Sequence, residues 1–304
     1  MKLYAPEYYK NFVCIANKCR HSCCIGWEID VDRDTAKKYA SLNKGYGLEI
    51  QKSVIGCVTP HFKLKKDDRC PHLNENGLCK IILNLGEDYL CHICREHPRF
   101  YNYTTLGKEV GLGLSCEEAC RIILSSDNYG NFVDLGEICE DEKAVDTPNF
   151  DAISHRKAIF EILENRSVPY SQRLQKISEN YGVSPANIPD DAWISTLDSL
   201  EYLDNSHKEL FACYSSAITD PKDLEIYFER ALAYFIFRHC SISEDESEFR
   251  AALGFSLFCQ QLLASICKNT QSFKEICDFA RIISEELEYS EDNTEAIKTE
   301  FYFC

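Results

Sequence analysis

The sequence predicts a mostly α protein with minor short β. An irregular, cysteine-rich, metal-binding N-terminal domain spans residues 1–140, and an acidic helical bundle spans 150–304. Three observations predict this. Eleven of the eighteen cysteines lie within the first 120 residues, in clusters. From about Phe150 onward, apolar residues recur at spacings of three and four, the period of an amphipathic helix. Charge divides the same way: residues 1–130 carry 18 Lys/Arg and 16 Asp/Glu, whereas residues 131–304 carry 15 and 33.

At 304 residues the chain can bury a full core, in two domains. The expected junction is the acidic, turn-prone stretch Glu140–Asn149, which ends in Thr147-Pro148-Asn149. In the first half, Gly26–Asp32 alternates as a short strand does, and Asp32 or Asp34 is placed to cap a helix running into Ala36–Leu42. Glu109–Ser115 alternates too. Cys116–Leu124 then reads as a helix with Ser115 at its N-cap and Glu117-Glu118 in its first turn. In the second half, helical stripes run through Ala152–Leu163, Leu224–Phe235, Phe255–Cys267 and Phe273–Ile283, with Ser184-Pro185 and Pro189-Asp190-Asp191 as punctuation. This is a bundle by pattern, and the Tyr and Phe on its stripes belong to a core.

The acidic half discourages nucleic acid and anionic membrane as partners. It suits the steering of a basic, lysine-presenting protein, or is simply the solvated face of acidic helices. The N-terminus, Met1-Lys2-Leu3-Tyr4-Ala5-Pro6-Glu7, has no apolar leader, and the apolar stretch 251–267 is interrupted by Gln260 and Gln261. The expected location is cytoplasmic, where thiols stay reduced.

Clustered reduced thiols point to metal rather than disulfides, and the vicinal pair Cys23-Cys24 strains any bond with itself. Cys14-x4-Cys19-x3-Cys23-Cys24 forms one arm, Cys70 and Cys79 a second, Cys91-x2-Cys94 a third, and Cys116 at a helix start a fourth. Thiolates select zinc or an iron–sulfur cluster. Ligands drawn from several arms suit a cluster in an interior pocket somewhat better than a zinc ribbon, and spacing leaves both open. The later cysteines, Cys213, Cys240, Cys259, Cys267 and Cys277, read as buried apolar residues. His21, His61, His72, His92 and His97 share the thiol-rich half. Each can ligate or act as a base, but structural hydrogen bonding is the simpler role beside so many thiols. No Gly-x-Gly-x-x-Gly, no Cys-x3-Cys-x2-Cys triplet and no Gly-x-Ser-x-Gly elbow is present, and no catalytic residue stands out.

Residues 12–29, Phe12-Val13-Cys14 through Cys23-Cys24-Ile25-Gly26-Trp27-Glu28-Ile29, resemble the opening of bacterial flagellin lysine N-methylases. Cys70-Pro71-His72-Leu73 with Gly77-Leu78-Cys79, then Leu85-Gly86 with Cys94-x3-Pro98-Arg99, and Leu114-Ser115-Cys116-Glu117-Glu118-Ala119 resemble its later arms in the same order. The resemblance covers about residues 10–125. It implies an S-adenosylmethionine-dependent protein-lysine N-methyltransferase that acts on flagellin or a similar lysine-rich surface, with a 4Fe-4S cluster or, alternatively, zinc. On this reading the metal ligands come from Cys14, Cys19, Cys23, Cys24, Cys70, Cys79, Cys94 and Cys116. The inner group is Cys23, Cys24, Cys70, Cys79 and Cys94. Eight thiols exceed one four-iron cluster, so either some are bystanders or there are two centres. Cys91 and Cys120 stand where the family has Ser or Ala and are left out, and Glu117 replaces the family's Pro. Arg99 and Arg95 are candidates to hold the donor's carboxylate, or form structural salt bridges.

The competing class is a non-enzymatic zinc-stabilised domain joined to an acidic helical adaptor for a basic protein. A sensor using exposed thiolates is a third possibility.

Overall fold

The computed structural model describes residues 1–138, 150–217, 224–270 and 272–302. The expected junction at 140–149 falls outside these residues. The described chain divides into two compact units: Val13–Arg99 with Cys116–Glu118, and Met1–Phe12 with Phe100–Ser115 and Ala119–Cys304. The architecture is mostly α with a small sheet, as the sequence predicts.

The chain opens on β1 (Lys2–Pro6), which belongs to the larger unit. The cysteine-rich unit follows with α1 (Arg33–Ala40), α2 (Tyr46–Ser53), a minimal hairpin of β2 (Val54–Ile55) and β3 (His61–Phe62), then α3 (Lys80–Leu85) and α4 (His92–Glu96). Asp32 caps α1, accepting from the Thr35 amide at 3.0 Å. The strand expected over Gly26–Asp32 is replaced by single bridges, Ile25 with Arg69 and Asp30 with His61. Its partners are Arg69 in a loop and His61 at the start of the two-residue β3, so no longer ladder forms. The core here is small: Ile29, Val31, Tyr39, Ile50, Phe62, Leu73 and Ile81, together with Cys70 and Cys91.

In the larger unit, β4 (Arg99–Thr104), β5 (Gly107–Leu112) and β6 (Phe132–Glu137) join β1 in the order β4-β5-β1-β6. β1 runs parallel to β5 and antiparallel to β6, with Lys2 opposite Glu137. α5 (Glu117–Ser125) starts one residue later than the sequence suggests. The remaining helices are α6 (Ala152–Glu164), α7 (Tyr170–Tyr181), α8 (Asp190–Ser199), α9 (Asn205–Phe211), α10 (Glu225–Cys240), α11 (Glu246–Ile266), α12 (Phe273–Leu287) and α13 (Glu291–Tyr302).

α11 is the axis, packed against α10, α12 and α13. Despite Gln260 and Gln261, the stretch Glu246–Asn269 is long and apolar enough to cross a membrane, but 83% of its most apolar window is buried inside the protein. A helix apolar all round is what the middle of a large core demands. Gly254 brings α13 close: a Cβ there would sit 2.4 Å from Cγ of Phe301. Trp193 fills the same region, 4.3 Å from Phe258 and 5.4 Å from Phe301 between ring centres.

Buried charges in this unit are paired. Arg156 forks onto Glu109 with two 2.7 Å bonds. Glu229 accepts from Arg166, Arg173 and Tyr129. Glu288 accepts from Tyr234 at 3.0 Å and lies 2.6 Å from the His239 ring.

Candidate metal centre

The thiols are placed by turns and helix starts. Ile25 N–H donates to Ser22 O at 3.0 Å, closing a turn around Cys23 and Cys24. The Cys70 amide donates to the Cys24 carbonyl at 2.9 Å, which brings the second arm beside the first. Leu73 bridges to Cys79, so the loop between Cys70 and Cys79 folds back on itself. Asp32 does double duty. Its second oxygen accepts from the His92 amide at 2.8 Å, fixing the start of α4 and therefore Cys91 and Cys94.

Around this frame five sulfurs share one apolar core. Cys70 and Cys91 are buried in it, and Cys24, Cys79 and Cys94 pack against it. The Cys91 and Cys94 sulfurs are 3.5 Å apart. The neighbouring backbone favours the thiolates, that of His72 and Leu73 at Cys70, of Ile81 and Ile82 at Cys79, and of Cys94 at Cys91. Backbone contacts of this kind stabilise a thiolate, and in metal sites they tune the centre.

Burial dominates the electrostatics. It pushes the Cys70 thiol up to about 12, with the neighbouring Cys24 and Cys79 adding to the rise. Burial also raises Cys79, with Cys24 and Cys91 contributing. Cys94 is raised chiefly by its contact with Cys91. Cys24 runs the other way, to about 7, because Cys23, then Ser22 and Arg69, favour its thiolate. Crowded thiols that raise one another are poor anions by themselves and good ligands for a cation.

The other candidate thiols lie apart from that core. Cys14 and Cys23 are exposed, and Cys19 and Cys116 are half-buried. Cys116 immediately precedes α5. Glu117 holds the loop of residues 14–24. Its carboxylate accepts from the Arg20 amide at 2.7 Å, from Arg20 Nε at 2.9 Å and from the His21 amide at 3.3 Å, and Cys19 Sγ lies 3.6 Å away. The sequence marks Glu117 as a first-turn acid and a departure from the family's Pro, whereas here it also holds Arg20, His21 and the Cys19 thiol.

Cys91, set aside in the sequence, stands in the inner core, and the signal for it was the Cys91-x2-Cys94 spacing. Cys120 belongs to the helical unit, where its thiol donates to the Cys277 carbonyl at 3.3 Å. Arg95 lies 3.8 Å from Glu96, and Arg99 donates to the Arg95 carbonyl at 3.2 Å. His72 is held through both ring nitrogens, by Tyr46 at 2.6 Å and Ser53 at 2.8 Å, and burial lowers it to about 4. His61 meets the Thr59 carbonyl at 2.9 Å. These contacts match structural roles for His61 and His72. Among the described residues no three Cys, His, Asp or Glu side chains are already drawn to coordination spacing. The donor chemistry of the inner core, five sulfurs, nevertheless fits a thiophilic metal or an iron–sulfur cluster.

The described chain thus has one unit rich in cysteine and one built of helices. The chain is 32% identical over 136 residues, 40% of its length, to the lysine-N-methylases of Salmonella choleraesuis and Salmonella typhimurium. It is equally identical over the same length to the flagellar biosynthetic protein FliU of Salmonella muenchen, of which the match covers 75%. The protein belongs to this lysine-N-methylase and FliU family. The match spans about a third of the length of the two lysine-N-methylases. No family model matches the chain, and no solved structure does.

Proposed function

We propose that the protein is an S-adenosylmethionine-dependent protein-lysine N-methyltransferase acting on flagellin or a similar lysine-presenting surface, with a thiolate-held iron–sulfur centre. The observation that carries this reading is the gathering of five cysteines in one apolar core in a member of the lysine-N-methylase family. Cys24, Cys70, Cys79 and Cys94 are the ligands of choice for that centre. When bound, the cluster supplies a site able to ligate or activate the sulfonium donor.

The chain's own residues do the rest. The backbone beside Cys70 and Cys79 favours their thiolates. The contact of Arg99 with the Arg95 carbonyl orients its guanidinium, and the pair offers cationic groups for the donor's carboxylate. A substrate lysine that enters an apolar pocket loses its proton more readily, because desolvation lowers an amine's pKa, and the neutral amine is the nucleophile. The acidic bundle, net −18 over residues 131–304, favours encounter with a lysine-rich partner.

The test is methyl transfer from labelled S-adenosylmethionine to flagellin by protein purified without oxygen, read as methyl groups on lysine by mass spectrometry. Label on lysine that depends on Cys70 supports the reading. Colourless protein that holds zinc, with no transfer, moves the assignment to a zinc-stabilised domain with an acidic interaction module.

A further inference from the structure

No residue from Val13 to Glu28 is buried, and apart from a 3-10 turn at Ala16–Lys18 and the bridge at Ile25 the stretch is irregular. Burial therefore does not hold this segment, and specific contacts have to. Glu117 grips it through the Arg20 amide at 2.7 Å, the His21 amide at 3.3 Å and Arg20 Nε at 2.9 Å. These two amides are spent on a side chain rather than on a helix or ladder, so their protection lasts only while Glu117 stays in place. Further back along the segment, Asn17 lies against Gly77: a Cβ there would sit 3.3 Å from Asn17 Cβ and 3.5 Å from Asn17 Cα. Gly77, at φ +73°, is the corner of the turn that leads into Cys79, and Asn74 Oδ1 closes that turn by accepting from the Leu78 amide at 2.9 Å. At the segment's far end the Cys24 carbonyl accepts from the Cys70 amide, and the Gly26 amide donates to the Asp68 carbonyl at 3.1 Å. Ala16 sits at φ +50°, a left-handed conformation that disfavours a residue with a Cβ and persists only where its surroundings impose it. Glu117, Asn17 and Gly77 all belong to the cysteine-rich unit.

We propose that residues 13–22 form a strap lying on the 74–79 turn, latched by Glu117, and that release of the latch bares this turn and the side of the thiol core at Cys79. The latch is on α5 and the seat is the glycine turn, so the strap joins two elements that are distant in sequence. Its far end, tied to Cys70 and Asp68 through the main chain, serves as the hinge. The strained Ala16 favours release once the grip of Glu117 is lost. The strap is thus a gate. Open, it gives a small thiophilic reagent a route to Cys79, which is half-buried when the gate is closed. The gate is built from a carboxylate, two amides and a glycine, and it stands or falls apart from methyl transfer.

The experiment is hydrogen–deuterium exchange of the whole chain purified without oxygen, read by mass spectrometry, in wild type, Glu117→Ala and Arg20→Ala. Glu117→Ala should speed exchange in peptides covering 13–22 and, together with them, 74–79. Each should rise by about tenfold or more, the effect of losing hydrogen bonds to a charged group. Arg20→Ala removes the guanidinium and keeps both amide bonds, so it should give a smaller rise in the same two peptides. Peptides from α11 report on the fold and should exchange as in wild type. If they do not in Glu117→Ala, Arg20→Ala decides alone, since it alters an exposed side chain. A rise in 13–22 with none in 74–79 would mean that the segment covers nothing. No rise in either would mean that Glu117 is not a latch. Either result overturns the proposal, whatever the methylation assay gives.

Discussion

In the helical unit, buried acids meet bases. Glu109 meets the Arg156 fork, Glu229 meets Arg173, and Glu288 meets His239. In the cysteine-rich unit buried thiols meet one another. The first arrangement is electrically complete within the chain, because each desolvated charge has an opposite partner. The second packs thiol against thiol, with Cys70, Cys79 and Cys94 raised, and gains most from a cation brought from outside. The cores differ to match. One is organised on a long apolar helix, whereas the other has a handful of large apolar residues and sulfur for the rest.

That contrast can be broken most forcefully through the proposed metal. Stripping it from anaerobically purified protein should unfold the cysteine-rich unit and spare the helical one. The loss is on the order of 10 kcal/mol, because binding energy at thiolate sites is folding energy. Differential scanning calorimetry would then show one transition vanish. An unchanged melt would mean that this small core stands unaided.

The reverse insult is Arg156→Ala. It leaves Glu109 buried without its fork and should cost the helical unit about 3–5 kcal/mol in urea unfolding, with metal content unaltered. Gly254→Ala is milder. The added methyl meets Phe301, and overpacking should cost about 1–3 kcal/mol, again without effect on the thiols.

Acid gives the smallest effect. Burial alone would raise Glu288, but Arg238 and His239 outweigh it and hold the carboxyl below its usual value of 4.5. A depressed acid stabilises the fold above its unfolded pKa, and that stability is lost as pH falls through the folded one. The urea midpoint of the helical unit should therefore hold down to about pH 5 and drop below 4.5. Glu288→Gln should flatten that drop, and an identical profile in the variant would assign it to other carboxylates.

The helices were legible because their stripes are local. Ala152–Glu164 and Phe273–Leu287 follow from spacing alone. β1 was not, because its partners lie more than 100 residues away and five residues carry no period of their own. For the same reason the first twelve residues were expected in the cysteine-rich domain but group with the helical unit. The thiols were legible as a set from their clustering. Which of them share the apolar core was not, because no spacing rule says that Cys24 packs against it while its neighbour Cys23 is exposed. Cys91 lies in the same apolar core, and its short-range knuckle with Cys94 is plain in the sequence.

Glu117 closes the loop of residues 14–24 from a position 97 residues beyond Arg20. Cys24, Cys70, Cys79, Cys91 and Cys94 all precede residue 100, so a growing chain can collect its inner sulfurs early in synthesis. Arg20, His21 and Cys19 must wait until Glu117 leaves the ribosome. Until then the loop that carries Cys14, Cys19 and Cys23 lacks its clasp, and the order of synthesis therefore decides which thiols most need protection while the protein is made.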